Sequence, residues 1–383
     1  MVRRTFDEVV LFARTGLNPR TNFKLGNGDN KYITIKNIHN NEIIIDDNTD
    51  VIDDRAIELI HRRSQIKKGD ILFCSIGRLG DMYIIEDEPK GWDINESVFA
   101  FTVDTSLVRQ KYFYYVFKNR DTIEYLSKNS SGSTFKSIKM NQLKKMTFDL
   151  PSLDKQDCVV AILDSLSSII AKREEELERL DELIKARFVE LFGDPNINSK
   201  GWDECPLSEK LDVVGGYAFK SDQFDEEYGV PVLRIGNINA GYFRPVNLVF
   251  WKEDDALERY VMYPGDLVMS LTGTVGKDDY GNVCILGNEY EKYYLNQRNA
   301  KLEIKDGIDK FYLSELLKFE QIKKRLTGIS RGVRQANISN KDILNLVVPI
   351  PPMEIQNQFA EFVQQVDKSK VAKNKLTNHA LLR

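Results

Sequence analysis

Cationic and amide side chains set among glycines are the residues of this chain best equipped for chemistry. Arg331-Gly-Val-Arg-Gln335, followed by Asn337, is the densest such cluster, with Arg334 at its centre. Arginine and lysine can hold phosphates or bind guanine O6 and N7, and Asn or Gln can pair with adenine. Glycine in such a run lets the backbone come close to a phosphate. A less basic counterpart, Ser131-Gly-Ser-Thr-Phe-Lys136 with Lys139, contributes Ser133, Thr134, Lys136 and Lys139 as candidates. Two further Gly-rich loops carry Arg78 (in Ser75-Ile-Gly-Arg-Leu-Gly80) and Thr272, Thr274 and Lys277 (in and just after Ser270-Leu-Thr-Gly-Thr-Val-Gly276). Arg298, beside Asn296 and Gln297, completes the set. Each also has a plainer reading as a solvated or packing side chain, and base contact and phosphate contact both remain open for all of them.

Catalytic and metal chemistry find little to work with. Cys74, Cys158, Cys205 and Cys284 lie far apart with no C-x-x-C pair, so a zinc site or disulfide framework is not expected. His39, His61 and His379 stand alone and read as surface or packing residues. Acidic pairs such as Asp46-Asp47 and Asp53-Asp54 read as solvated turns. There is no phosphate-binding G-x-x-x-x-G-K-[ST] loop. The 58 acidic and 54 basic residues give a net charge of −4, which argues mildly against nonspecific nucleic-acid binding by the chain as a whole but leaves room for a local basic surface. Hydrophobic residues make up 42% of the chain, enough for packed cores. No apolar run is long enough to span a bilayer, and residues 1–12 lack an apolar signal core, so a cytoplasmic protein with no membrane partner is expected.

The elements that must position these candidates occur twice. Asn37-Ile38 recurs as Asn237-Ile238, and Lys68-Gly-Asp-Ile-Leu72 recurs as Pro264-Gly-Asp-Leu-Val268. Residues 112–156 align without a gap on 312–356 with eight identities in 45 positions, where chance gives about three. Tyr112/Tyr312, Leu126/Leu326, Pro151/Pro351 and Gln156/Gln356 are among them. Each copy opens with short strands. In the first these are Tyr32 to Ile38, Asn41 to Ile45 and Ile71 to Ser75, and in the second Val230 to Ile235, Leu248 to Trp251 and Asp266 to Ser270. A helix is expected over 108–127 and over 309–327, then a Ser/Gly turn, then a strand ending at Pro151 or Pro351.

Beyond each proline the pattern turns helical. Leu163, Ile170, Leu177, Ile184 and Leu191 recur every seven residues, beside a second row of Val159, Leu166, Arg173, Leu180 and Arg187. That is a heptad seam over about five repeats, on a helix of some 60 Å at 1.5 Å per residue. A shorter helix from Met353 carries Ile355, Phe359, Phe362, Val363 and Val366. A lone amphipathic helix leaves its stripe wet, so the two are expected to pair, antiparallel, within the chain. Arg173 and Arg187 on the seam either reach a further contact or lay their stems along it. The expected fold is α+β: two related β-rich domains, 1–150 and 196–350, each followed by a spacer helix, 151–195 and 351–383, as a pseudo-two-fold repeat of about 200 residues.

This order of parts resembles the specificity subunit of type I restriction–modification systems. The residues that carry the resemblance are the two Gly-Asp turns, the paired Gly-rich loops and the helix entries Leu150-Pro-Ser-Leu-Asp-Lys-Gln156 and Ile350-Pro-Pro-Met-Glu-Ile-Gln356. The run Arg187-Phe-Val-Glu-Leu-Phe-Gly-Asp-Pro195 before Gly201-Trp202 is also typical of that family. The resemblance implies that each β-rich domain is a target-recognition domain reading one half of a bipartite, asymmetric double-stranded DNA target. The helices would set the unread spacer and dock two modification subunits, which carry S-adenosylmethionine and methylate adenine at N6. A restriction subunit, using ATP and Mg, would cleave. No cofactor is expected in this chain itself, and no catalytic residue. Its only Pro-Pro, Pro351-Pro352, sits at a helix entry rather than in the Asn/Asp-Pro-Pro-aromatic turn of an adenine methyltransferase. The acidic stretch Glu174, Glu175, Glu178, Asp181 and Glu182 repels DNA and suits a protein partner, or is simply a solvated face. The competing reading is a two-headed protein-binding adaptor that does not recognise DNA sequence. An enzyme whose site escaped these motifs is the other.

Overall fold

The computed structural model describes the backbone of residues 1–39, 41–132, 136–239, 241–328 and 335–381, and their side chains except at 335 and 371–381. The chain divides into two units, Met1–Ile169 and Ile170–Arg383.

In the first unit a four-stranded antiparallel sheet is ordered Val10–Thr15, Val98–Val103, Ile71–Cys74, Met82–Ile84. Alternate residues along a strand point to opposite faces. Ile71, Phe73, Phe99 and Phe101 therefore enter one core with Phe6, Phe113, Phe117 and Phe148. Leu72, Cys74, Val98 and Ala100 enter another with Ile33, Ile38 and Ile94. Both faces are covered, which is why Ile71–Cys74 is an unbroken apolar run rather than an alternating one. Burial pushes the Cys74 thiol up to about 12, so it stays protonated.

The second unit repeats this plan. Its sheet runs Leu211–Gly215, Asn299–Ile304, Leu267–Ser270, Val283–Ile285. Leu267 and Met269 face one core, and Val268 and Cys284 face another. Each unit has a satellite sheet containing one parallel pair: Asn30–Ile33 with Trp92–Ile94, and Val230–Leu233 with Tyr293–Leu295. Each also pairs its opening strand with the strand before its long helix, Val2 opposite Leu150 and Glu204 opposite Pro349.

The residues that recur in sequence make the same bonds. Asn37 Oδ1 accepts the Thr34 N–H at 2.9 Å, and Asn237 Oδ1 accepts the Arg234 N–H at 3.0 Å. Their amides then donate to the Ile44 and Arg244 carbonyls. Gln156 and Gln356 are both fully buried at the helix entries. Gln156 accepts the Arg109 N–H at 2.9 Å and donates to the Pro151 carbonyl at 3.0 Å. Gln356 does the same for Asp309 and Pro351, at 2.7 Å each. Truncating either glutamine strands buried backbone groups, each costing about 1–3 kcal/mol. Gln356→Ala is expected to lower the stability of its unit by roughly 2–4 kcal/mol in urea titration. A midpoint equal to the native one would show that the amide does not hold the entry.

Three sequence expectations need correction. The strand expected from Tyr32 to Ile38 is broken by a turn between Asn30–Ile33 and Ile38–His39. The helices over 108–127 and 309–327 are each two: Gln110–Lys118 then Arg120–Asn129, and Lys310–Lys318 then Glu320–Thr327. Asn119 and Phe319 are extended at the break, with ψ near 145° and 129°. Asn119 restarts the helix by accepting the Asp121 N–H at 3.1 Å. The break lets Leu126 join Phe113 and Phe117 in one core, and Ile322 and Leu326 join Leu313 and Leu317 in the other. The first unit also holds a helix that the strand-based reading omitted, Asp54–Ser64, capped by Asp53, whose carboxylate accepts the Ala56 N–H at 2.8 Å. Its Ala56 and Ile60 close a small core over Tyr32 and Ile52. Asp93, fully buried beneath it, has its carboxyl raised by desolvation, against hydrogen bonds from Ser64, the Ile94 N–H and His61.

The first long helix spans Leu153–Phe192 and the second Met353–Leu381. Ile184 on the heptad seam is buried, and Leu163, Ile170, Leu177 and Leu191 are half-buried. In the second unit Phe359 stands edge-on to Phe188 and Phe192, with centroids at 5.5 and 5.4 Å. Eleven residues on, Lys370 Nζ reaches Asp181 at 2.6 Å. The rise from 359 to 370 meets a fall from 188 to 181, so the helices are antiparallel there. Arg187 lays its guanidinium over the Phe362 ring at 6.0 Å and pairs with Glu190 at 2.8 Å, while Arg173 pairs with Glu176. Arg187 thus follows the snorkelling alternative.

Candidate nucleic-acid interface

Each unit joins its Gly-rich loop to its Ser/Gly run. In the first unit the Ile138 N–H donates to the Ser75 carbonyl at 2.9 Å, and the Gly77 N–H to the Lys136 carbonyl at 3.1 Å. Gly77 and Gly80 both take positive φ, 71° and 90°, conformations that glycine adopts freely. Arg78 projects into solvent from this loop. Lys136 is exposed beside it and donates from Nζ to Ser127 Oγ at 2.7 Å. Lys139, also exposed, precedes the short helix Met140–Leu143, and its N–H donates to Gln142 Oε1 at 2.8 Å. Ser133 and Thr134 lie outside the described residues.

In the second unit the same join is a short antiparallel ladder, with Thr272 opposite Asn337, Gly273 opposite Ala336 and Thr274 opposite Gln335. The Ile338 N–H donates to the Leu271 carbonyl at 2.9 Å, matching Ile138 and Ser75. The Leu271 N–H donates to the Arg298 carbonyl at 2.8 Å, which places Arg298 beside the ladder. Lys277 closes the following turn, its N–H donating to the Thr274 carbonyl at 3.0 Å. Arg298, Thr274, Lys277 and Asn337 are exposed and Thr272 is half-buried. Gly273 lets the ladder pass close to its neighbours, since a Cβ there would fall 2.2 Å from Asp279 Oδ1 and 2.8 Å from Tyr280 Cβ. Asp279 accepts the Thr274 N–H at 2.7 Å and its hydroxyl at 2.9 Å. The backbone N–H above all holds the Asp279 carboxyl below the usual carboxylate range. Arg331 and Arg334 lie outside the described residues, as does the side chain of Gln335.

Candidates that are 21 to 65 residues apart in sequence therefore converge within each unit: Arg78 with Lys136, and Thr272, Thr274 and Lys277 with Arg298, Gln335 and Asn337. The convergence is local to each unit and rests on backbone pairing, so a side-chain change leaves the platform in place. Cations, amides and hydroxyls are the groups that bind base edges and phosphates in nucleic acids.

The acidic candidates Glu174, Glu175, Glu178, Asp181 and Glu182 are all exposed on the first long helix. Glu175 pairs with Arg179 at 2.6 Å, and Asp181 is taken up by Lys370 of the second long helix. Asp181 thus ties the helix pair together. Sequence reasoning passed over Asn282, Lys323 and Lys324, which line a cleft next to Lys277. Residues 282 and 323 are too far apart to read as one group, and Lys323-Lys324 looks like an ordinary solvated helix face.

The duplicated architecture defines a class of two-unit recognition proteins, and comparison with known proteins agrees. The chain matches the family described as Type I restriction modification DNA specificity domain twice, over residues 2–179 and 199–382. It belongs to that family. It is 24% identical over 342 residues to the Type I restriction enzyme MjaVIII specificity subunit of Methanocaldococcus jannaschii, covering 83% of this chain and 77% of that one. It is also 24% identical over 370 residues to the MjaIX specificity subunit of the same organism, covering 91% and 83%. The crystal structure of a type I restriction–modification S subunit from M. genitalium shares the fold, with a TM-score of 0.55 and 16% identity over 100% of this chain and 93% of that one. No helix among the described residues is long and apolar enough to cross a membrane.

Proposed function

We propose that this chain is the cytoplasmic sequence-reading subunit of a type I restriction–modification assembly, with each unit reading one half of a bipartite double-stranded DNA target. The observation that carries the reading is the duplicated platform. Two units share one backbone plan, down to Asn37/Asn237 and Gln156/Gln356, while the side chains on their loops differ. A shared scaffold with divergent loops suits two different half-sites. Arg78, Lys136 and Lys139, with Ser133 and Thr134, serve the first half. Thr272, Thr274, Lys277, Arg298, Arg331, Arg334, Gln335 and Asn337 serve the second. The helical residues between the units set how many base pairs go unread. Two modification subunits bring S-adenosylmethionine and methylate adenine at N6, and restriction subunits bring ATP and Mg. This chain contributes no catalytic residue and holds no cofactor. Glu174, Glu175, Glu178, Asp181 and Glu182 face a protein partner rather than DNA.

The test is single-molecule sequencing of genomic DNA for N6-methyladenine, with the gene intact and deleted. One bipartite motif is expected to lose its methylation on deletion. An unchanged methylome in cells where the chain co-purifies with a modification subunit would overturn the reading in favour of a protein adaptor.

A further inference from the structure

A cleft of roughly 860 Å³ opens in the second unit between the 276–283 loop and the helix Glu320–Thr327. Lys277, Lys318, Lys323 and Lys324 line it against only Asp278 and Glu320. Lys323 is 8% exposed and lies against Asn282 Oδ1 at 2.6 Å and against Asp278, whose carboxylate is itself largely in solvent. Asn282 Nδ2 is buried and has no hydrogen-bond partner among the described residues. A buried donor left unmet costs free energy unless something not yet present accepts from it.

The first unit shows what this position looks like when it is satisfied. The Cys74 N–H donates to the Asp81 carbonyl at 2.8 Å, and the Ser270 N–H to the Asn282 carbonyl at 2.9 Å, so Asp81 and Asn282 are equivalents. Asp81 is a carboxylate, held by Lys118 at 3.6 Å and by His39 at 3.4 Å. At the equivalents of Lys323 and Lys324 the first unit has Ile123 and Glu124, the latter paired with Arg120 and Lys128. In the second unit the carboxylate has become an amide, Lys318 has turned to Glu315 on its own helix, and two lysines have been added. Against that, Arg120 and Lys128 of the first unit have become Glu320 and Gly328, so the second unit has lost the internal anion and shifted its cations to Lys323 and Lys324.

We propose that this cleft is an anion site that takes one backbone phosphate of the DNA strand bordering the half-site read by the second unit. Asn282 Nδ2 and the Lys323 and Lys324 ammonium groups act as donors, and the exposed carboxylates of Asp278, on Lys323, and Glu320, on Lys324, are the groups displaced. Lys277, in the turn that follows the reading ladder, lies on the same wall, so the cleft is continuous with the platform. The first unit carries Asp81, Ile123 and Glu124 at the matching positions, so the grip on the backbone is asymmetric. The inference rests on the DNA-reading function proposed above and assigns this site a sequence-independent share of it.

The test uses the assembled specificity and modification subunits and a duplex carrying the motif found by methylation mapping. Asn282→Asp restores the first unit's arrangement with an isosteric side chain. It is expected to weaken binding about tenfold and to make the dependence of log K on log salt shallower by about one, without changing the preferred sequence. Replacing duplex phosphates one at a time by neutral methylphosphonates should find one position that weakens the native assembly but not Asn282→Asp. Lys323→Met, which keeps the stem and removes the charge, should lose sensitivity to the same position. Native affinity and salt slope in both variants, or equal sensitivity to every methylphosphonate, would overturn the site. Inorganic phosphate or pyrophosphate raising the Tm of the free chain with no coupled duplex phosphate would overturn the DNA source in favour of a free anion. A native assembly that forms no sequence-specific complex would instead sink the underlying function, and that outcome shows without any variant.

Discussion

Phe188→Ala is expected to destabilise the second unit by about 3–5 kcal/mol, the usual cost of emptying a large aromatic from a packed core. Phe188 is fully buried. Its ring lies within 5.5 Å of those of Phe192, Tyr312, Phe319 and Phe359 and stacks on Tyr312 at an interplanar angle of 10°. These rings belong to both long helices, to the helix Lys310–Lys318 and to the break that follows it. One side chain therefore ties both long helices to the helix Lys310–Lys318. At the low end of the usual range of about 5–15 kcal/mol, a loss of this size removes most of a unit's stability. Urea titration should show a lower midpoint, and the target motif should lose methylation in cells carrying the variant. Phe188→Leu, which leaves less empty volume, should cost visibly less. A Phe188→Ala protein with the native midpoint would mean that the cluster does not hold the helices.

The second large effect is a change of target. Exchanging residues 1–150 for those of a relative with a different target should change one half of the methylated motif completely and leave the other half untouched. The physical ground is that the exchanged segment supplies both of its main cores, Phe6 to Leu150 and Ile33 to Ala100. Few ties cross from it to the long helix. Arg109 pairs with Asp157 at 2.8 Å, and Lys111 Nζ and Tyr115 Oη both donate to Asp164 at 2.7 Å. Gln156 collects the Arg109 N–H and the Leu107 carbonyl. A chimera that preserves these partners should fold and assemble. Methylation mapping gives the result directly, and a change in both halves, or in neither with the assembly intact, would refute the one-unit, one-half reading.

Much of this was legible because a duplicated sequence reports its own constraints. Gln156 and Gln356 stand two hundred residues apart and hold the same backbone groups, so their recurrence marks a geometric need rather than chance. The heptad seam, the Pro-led helix entries and the Gly-Asp turns are local, and local patterns survive in one dimension. The helix Asp54–Ser64 was also open to reading, through the Asp53 cap and the apolar spacing of Ala56, Ile57 and Ile60. The breaks at Asn119 and Phe319 were less so, because neither residue forbids a helix and the break is favoured by what the two halves bury.

What the sequence determined by itself was the repeat, the class of protein, the two spacer helices and the residue types available for contact with DNA. The class came from the resemblance of its motifs and their order to a known family, and the rest follows from periodicity or composition along a continuous stretch. Tertiary structure decided which of those residues meet. Backbone pairing brought Arg78 to Lys136, and Thr272 to Asn337 beside Arg298, across gaps that no spacing rule spans. It paired Asp181 of the exposed acidic face with Lys370. It also set Asn282 against Lys323, where the first unit holds Asp81 against Lys118. Charge and hydrogen-bond balance are properties of a place in the fold, and the residues that share a place are chosen by the packing of distant segments.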